Sequence, residues 1–243
     1  MTELRTVRVA AIQATPVVLD ADATVAKACR LLGEAAADGA ELAVLPETFV
    51  SLYPSNAWAR AAVSFNGQDE LWERMWASAV DVPGPHVDAL AAACAEHGIH
   101  CAIGVNERES ERPGTLYNTL LLIGPEGLLH KHRKLMPTMQ ERVFHGFGTG
   151  NDLGVTATPA GRVGGLICWE NRMPLARWSV YHRRSGSRRQ RTTRTAGRRR
   201  CDTSRSSPAH SSCRYRSTSP AARSRTTSRR RWTASVSTVA AGR

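Results

Sequence analysis

The six cysteines of this 243-residue chain form no CxxC pair and no spacing typical of a zinc site. The N-terminus, MTELRT, is polar and lacks the apolar core of a signal peptide. No apolar run approaches the length of a membrane span. These absences argue against a disulfide-stabilised secreted scaffold, a zinc module and a membrane protein. They favour a protein of the reducing cytoplasm.

Residues 181–243 contain no Leu, Ile, Met, Phe, Lys, Asn or Glu. They hold 18 Arg and a single acidic residue, Asp202, whereas residues 1–180 hold 15 Lys and Arg against 20 Asp and Glu. The basic pI of about 10.3 therefore belongs to the tail alone. A segment so poor in apolar side chains cannot bury enough surface to fold. We expect a folded domain over 1–180 and a disordered, low-complexity Arg/Ser-rich tail over 181–243.

The apolar patterns of the first half alternate between strand and helix, which predicts an α/β fold. Val7 to Ala14 is typical of a buried strand, Asp20–Asp38 of an amphipathic helix, and Glu41–Glu47 of a second strand. Thr48 to Gln68 is expected to be a long connection. The later predictions are helices at Glu70–Val80 and Val87–His97, a strand at His100–Val105, and hairpins at Tyr117–Ile123 with Leu128–His132 and at Leu153–Thr158 with Arg162–Cys168.

Cys168 ends an apolar strand that contains glycines at 161, 164 and 165, which allow backbone or ligand to come close. Pro174 follows where the first turn of a helix is expected. A cysteine on such a strand-to-helix turn is presented outward near backbone N–H groups, as a nucleophile would be. The alternative is a buried structural thiol.

Two further strand ends carry reactive groups, Glu47 and Lys134. A thiol nucleophile needs a base, and a carboxylate in an apolar pocket can supply one. A lysine ammonium can stabilise the negative charge that develops in a tetrahedral state. Taken singly, each of the two residues is more often a solvated surface charge. The sequence does not show that Glu47, Lys134 and Cys168 meet in space.

Residues 6–178 resemble the nitrilase superfamily of carbon–nitrogen hydrolases. The matching segments are VRVAAIQ, LAVLPETF, GVNER, YNTLLLIGPEG, KHRKLMPT followed by ERVFHGFG, and GGLICWENRMPLAR, of which the last three favour the true nitrilase branch. The resemblance implies an α-β-β-α sandwich, of which this chain has the N-terminal two-thirds only. It also implies that Glu47, Lys134 and Cys168 are the catalytic triad and that Glu141 is a fourth catalytic residue.

The resemblance further implies that Cys168 attacks a nitrile to form a thioimidate and then a thioester, releasing ammonia and a carboxylic acid. The partners would be a small-molecule nitrile and water, with neither metal nor organic cofactor. Tyr53 and Trp169 are candidates to line the substrate pocket, with core packing as the alternative. Family members self-associate. Two departures from the family pattern, Arg172 and the segment 148–151, leave the triad unchanged.

The resemblance ends after about Trp178. Arg, Ser, Thr, Pro and Ala are the residues that GC-rich codons yield when they are read out of frame. A frame shifted one base upstream permits family-like segments over Arg184 to Gly197 and over Cys201 to Ser219, so we hypothesise a frameshift within 178–183 that the coding DNA can test. The missing half would have covered the Cys168 strand and supplied much of the subunit interface. We expect the chain as written to fold poorly and to be weakly active or inactive.

Two alternative functions remain open at this point. One is an amidase or ureido-hydrolase of the same superfamily. The other is a catalytically idle body with an Arg-rich tail that binds nucleic acid through phosphate contacts. The tail has no Lys and no recognition motif, so only incidental binding of nucleic acid is expected from it.

Overall fold

Two β-sheets form the centre of a computed structural model that describes residues 6–111, 113–184 and 236–241. The strands are β1 Val9–Ala11, β2 Leu42–Val44, β3 Val80–Asp81, β4 His100–Arg108, β5 Leu116–Gly124, β6 Gly127–Arg133, β7 Thr156–Thr158, β8 Gly161–Ile167 and β9 Val236–Ala241. The helices are α1 Ala21–Ala37, α2 Ala57–Ser64, α3 Gln68–Ala77, α4 Pro85–His97, α5 Glu141–Phe144 and α6 Pro174–Arg184, with a 3-10 turn at Cys168–Arg172.

The larger sheet has the strand order β1-β2-β4-β5-β6, and β3 pairs with the far end of β4. The strands β1, β2 and β4 are parallel and are connected through helices, whereas β4, β5 and β6 are antiparallel. The β-α-β order predicted from the sequence is therefore confirmed, as is the hairpin of β5 and β6. Long crossovers through helices produce the parallel pairs, and short turns produce the antiparallel ones.

Helices α1 and α4 cover one face of this sheet, and their ends follow local sequence signals. The side chain of Asp20 accepts a hydrogen bond from the N–H of Ala23 at 2.9 Å and caps α1. Helix α4 begins at Pro85 and is capped at its C-terminal end by Gly98, whose φ of 63° is left-handed. Their apolar faces pack on residues such as Leu121 and form the largest core.

The smaller sheet, β7-β8-β9, packs against the opposite face of the larger sheet. A Cβ at Gly165 of β8 would collide with the side chain of Leu120 in β5, and one at Gly164 would lie 2.8 Å from Val180 in α6. The two glycines thus allow close packing on both faces of β8. Helix α6 forms the outer layer, so the described residues have the α-β-β-α arrangement expected from the resemblance.

The connection predicted over Thr48 to Gln68 is not wholly irregular, because it contains helix α2. The side chain of Asn56 caps this helix by accepting from the N–H of Ala59 at 2.8 Å. Ala59 is fully buried, against Leu71 and Met75 of α3. This short alanine-rich helix was not predicted from the sequence.

Strand β9 lies within the segment that was expected to form no structure. It pairs antiparallel with β8 along six positions, from Arg162 opposite Ala241 to Ile167 opposite Val236. This strand was not expected, although its residues VSTVAA are rich in β-branched side chains. Strand β9 thereby supplies main-chain hydrogen-bond partners to one edge of β8.

Helix α6 extends to Arg184, past the expected start of the tail at residue 181. The other predictions for the tail are its disorder, its shifted reading frame and its incidental binding of nucleic acid, and they fall mainly on residues 185–235 and 242–243, which lie outside the described part. Among the helices that the structure does describe, none combines the length and apolarity needed to cross a membrane.

Candidate active site

Glu47 lies three residues beyond β2, where the chain turns over β4. Gly104 of β4 makes this turn possible, since a Cβ there would lie 2.6 Å from the carbonyl oxygen of Pro46 and 2.7 Å from Cα of Glu47. The Glu47 side chain is only 7 % exposed. It is therefore not the solvated strand-end carboxylate that was the alternative expectation.

Lys134 follows the last residue of β6 and places its ammonium group between two carboxylates. Its Nζ donates to Oε1 of Glu47 at 2.7 Å and to Oε1 and Oε2 of Glu141 at 2.9 and 2.7 Å. Burial alone would lower the pKa of Lys134, but the two carboxylates raise it, so the ammonium stays charged. Glu141, the first residue of α5, is fully buried. Burial raises the pKa of its carboxyl group, with Lys134 acting in the opposite direction.

Asn118 of β5 completes this arrangement and was missed by the sequence analysis. Its Nδ2 donates to Oε1 of Glu47 at 2.7 Å and to Oε1 of Glu141 at 3.1 Å. The main-chain carbonyl oxygen of Asn118 accepts from the N–H of Lys134 at 2.8 Å. The available signal was an amide side chain within the otherwise apolar strand YNTLLLI, because a buried polar group requires partners.

Cys168 begins the 3-10 turn that joins β8 to α6, and its φ is +53°. This left-handed conformation is uncommon for a residue with a side chain and is found at strained turns in functional sites. Burial raises the pKa of the Cys168 thiol, and Glu47 adds to this, whereas Lys134 lowers it. The half-buried thiol thus lies within the field of the Glu47–Lys134 pair, in contrast to the fully buried Cys94 and Cys101.

Tyr53 and Trp169 lie in different surroundings. Burial raises the pKa of Tyr53, and the nearby charges of Glu141, Glu47 and Cys168 raise it further. Trp169 is 54 % exposed, and the guanidinium of Arg172 lies 4.6 Å from its ring centroid. The tryptophan is therefore not a core residue. The role of either residue in binding substrate stays a prediction.

A second buried charge cluster lies beside the Cys168 turn, and no sequence pattern indicated it. Nε2 of His132 lies 3.0 Å from Oε2 of Glu170, and Nδ1 lies 3.0 Å from Oδ1 of Asp152. Burial would lower the pKa of His132, but its two carboxylate partners raise it to about 9. The imidazole is therefore positively charged at neutral pH.

This charge predicts how stability depends on pH. A raised pKa means that His132 stabilises the fold fully below its unfolded value of about 6.5, and that this contribution is lost as pH rises through about 9. In urea unfolding, His132→Gln should lower the free energy of unfolding by at least about 1 kcal/mol more at about pH 6 than at about pH 10. The same change at the exposed His97 should show no such trend, and a pH-independent effect of His132→Gln would contradict the assignment.

Among residues 6–111, 113–184 and 236–241, no cluster of His, Cys, Asp or Glu side chains is arranged to hold a metal ion. The chemistry of the Glu47, Lys134, Glu141 and Cys168 group is that of a thiol flanked by a carboxylate and a fixed ammonium. With these groups, the thiol can attack an electrophilic carbon and the ammonium can stabilise the negative charge that results.

Comparison with known proteins identifies the family of this chain. Residues 8–184 match the model of the carbon–nitrogen hydrolase family. Over 180 residues the chain is 44 % identical to a bifunctional nitrilase/nitrile hydratase (NIT4A) from Nicotiana tabacum, covering 72 % of this chain and 50 % of the relative. It is 45 % identical over 177 residues to an aliphatic nitrilase from Sinorhizobium fredii, covering 72 % and 56 %.

Among solved structures, the fold matches a carbon–nitrogen hydrolase superfamily protein from Xanthomonas campestris with a TM-score of 0.53 and 22 % identity, over 72 % of this chain and 57 % of that one. The chain spans about half the length of the curated relatives it matches. The family match covers most of the chain, and the two relatives with 44 % and 45 % identity are named as nitrilases. The chain therefore belongs to the carbon–nitrogen hydrolase family, in its nitrilase branch.

Proposed function

We propose that this chain carries the active site of a nitrilase, which converts a nitrile and water to a carboxylic acid and ammonia. The observation that supports this most directly is the buried Lys134 ammonium held between Glu47 and Glu141 beside the Cys168 turn. The nitrilases among its relatives supply the substrate class. The activity of the whole protein remains part of the proposal, because the chain covers about half of those relatives.

In the proposed mechanism, Glu47 takes the thiol proton of Cys168 and the sulfur attacks the nitrile carbon. A carbon–sulfur bond forms, one π bond of the nitrile breaks, and the nitrogen receives the proton, which yields a thioimidate. Water then adds to the carbon–nitrogen double bond. The Lys134 ammonium stabilises the charge of the tetrahedral intermediate, and Glu141 with Asn118 holds Lys134 and Glu47 in place.

Collapse of this intermediate with cleavage of the carbon–nitrogen bond releases ammonia and leaves a thioester on Cys168. A second water, activated by Glu47, attacks the thioester and releases the carboxylic acid with the free thiol. Every step uses acid–base and nucleophilic groups of the protein, so the proposal includes neither metal nor organic cofactor. Tyr53 lies near the reacting groups and is proposed to contact the substrate, and Trp169 is proposed to line its approach.

A second outcome is release of an amide. If the tetrahedral intermediate loses the Cys168 sulfur in place of ammonia, the product is the amide. A relative that is named a bifunctional nitrilase/nitrile hydratase supports this branch. The amidase or ureido-hydrolase alternative differs in substrate, since it would start from an amide or a ureido group.

The test is to incubate the full chain with aliphatic, aryl and arylacetonitrile panels and with the corresponding amides. We expect an intact-mass adduct at Cys168 with nitriles, together with ammonia and acid released slowly, since half of the relatives' length is absent from the match. Cys168→Ala should abolish the adduct, whereas Cys29→Ala, at another half-buried thiol, should leave it unchanged. Ammonia from amides alone, or an adduct at a different cysteine, would refute the nitrilase proposal.

A further inference from the structure

One buried carboxylate, that of Glu170, joins the two segments that carry Lys134 and Cys168. Its Oε1 accepts from the N–H of Leu135 at 2.6 Å, and its Oε2 accepts from the N–H of Ile167 at 2.6 Å. Each of these N–H groups belongs to the residue adjacent to a proposed catalytic residue. Glu170 therefore spans 35 residues of sequence to fix the end of β6 against the end of β8.

A buried carboxylate is costly unless a positive charge accompanies it. His132 supplies that charge, with Nε2 at 3.0 and 3.2 Å from the two Glu170 oxygens. Because its other nitrogen faces Asp152, both nitrogens meet acceptors and both must carry protons. The second oxygen of Asp152 accepts from the N–H of Arg133 at 2.7 Å, so the cluster also holds the strand that leads into Lys134.

We propose that Asp152, His132 and Glu170 form a positioning clamp that sets the place of the Cys168 thiol relative to Lys134 and Glu47. None of the three touches the proposed reacting atoms, so each acts through the backbone that it holds. The clamp works as a unit: the imidazolium neutralises Glu170, Asp152 orients the imidazolium, and Glu170 ties the two catalytic segments together. The proposal deepens the proposed function, on which it rests for the choice of Cys168 as nucleophile.

The pH dependence of Cys168 alkylation provides a test that does not require nitrile turnover. The charged groups that act on this thiol are Glu47, Lys134 and Glu141, and its pKa is raised by burial and by Glu47. Release of the clamp should let the thiol move away from them and into water. The midpoint for carbamidomethylation of Cys168, followed by peptide mass spectrometry, should then fall by about one pH unit in Glu170→Gln and in His132→Gln.

A purely stabilising role would lower the melting temperature without moving this midpoint. His97→Gln, an exposed change on α4, is the matched control and should alter neither quantity.

If the single variants fail to fold, the double variant His132→Gln/Glu170→Gln removes both charges of the pair and should fold with the lowered midpoint. Two results would each overturn the clamp: an unchanged midpoint in a folded variant, or a neutral His132 imidazole at pH 7.5 by NMR of the unmodified chain. Because alkylation is independent of nitrile turnover, a failed nitrile assay leaves this test intact.

Discussion

Replacing Lys134 with methionine should lower the free energy of unfolding by about 3–5 kcal/mol, because it leaves two buried carboxylates without their cation. Glu47 and Glu141 both contact the same ammonium at 2.7 Å, and the neutral amide of Asn118 would be left as the donor that they share. Two carboxylates this close cannot both stay ionised at low cost. Urea unfolding monitored by circular dichroism measures the loss.

The sign of the pH dependence follows from the same argument. Without Lys134, one of the two carboxylates should have a raised pKa in the folded state, so the variant should lose further stability as pH rises. Lys134→Met/Glu141→Gln removes one charge of each sign and should recover much of the loss. Lys27→Met, at a partly exposed lysine that donates to a backbone carbonyl, is the matched control and should cost less than about 0.5 kcal/mol. A similar cost for both single variants would show that the buried ammonium is not required.

Gly104→Ala should destabilise the fold by about 3 kcal/mol or more through overpacking against backbone atoms. The added Cβ would meet the N–H of Thr48, the carbonyl of Pro46 and Cα of Glu47, none of which can rotate away as a side chain could. The turn must therefore shift, and the Glu47 carboxylate should leave its 2.7 Å contact with Lys134. The variant should be both less stable and impaired in forming the Cys168 adduct with a nitrile.

The matched control is Gly114→Ala, at a turn where a Cβ would meet no atom within 4 Å. Its φ of +95° is left-handed, so a cost of about 1 kcal/mol from local strain is expected without any effect on the site. If Gly104→Ala is no more harmful than Gly114→Ala in unfolding and adduct formation, the close approach of the Glu47 turn to β4 is not needed.

Local sequence signals predicted the part of the fold that depends on neighbouring residues. Asp20 before α1 and Gly98 after α4 act as the caps that their residue types favour. The apolar runs predicted the parallel β-α-β start and the hairpin of β5 and β6. Helix α2 was missed, since its stability derives from packing Ala59 against α3 more than from a strong local pattern.

In the candidate site, too, local sequence patterns indicated some features and contacts between distant segments decided the others. The residue types at strand ends indicated Glu47, Lys134 and Cys168, because strand ends present side chains at the edge of a sheet. Their meeting is a tertiary fact, since 87 residues separate Glu47 from Lys134 and no local pattern reports on such a distance. The role of Asn118 becomes evident only when the two carboxylates that its amide bridges, Glu47 and Glu141, are known.

By itself, the sequence determined the family, the alternation of strands and helices, and the chemical groups that end three strands. Only the tertiary structure decided that an ammonium is buried between two carboxylates, that Glu170 ties the two catalytic segments, and that β9 pairs with β8. The physical reason is that propensity and periodicity act over a few residues, whereas burial of charge is decided by contacts between distant segments. The Lys134–Glu47 and His132–Glu170 pairs are contacts of this kind, since 87 and 38 residues of sequence separate their members.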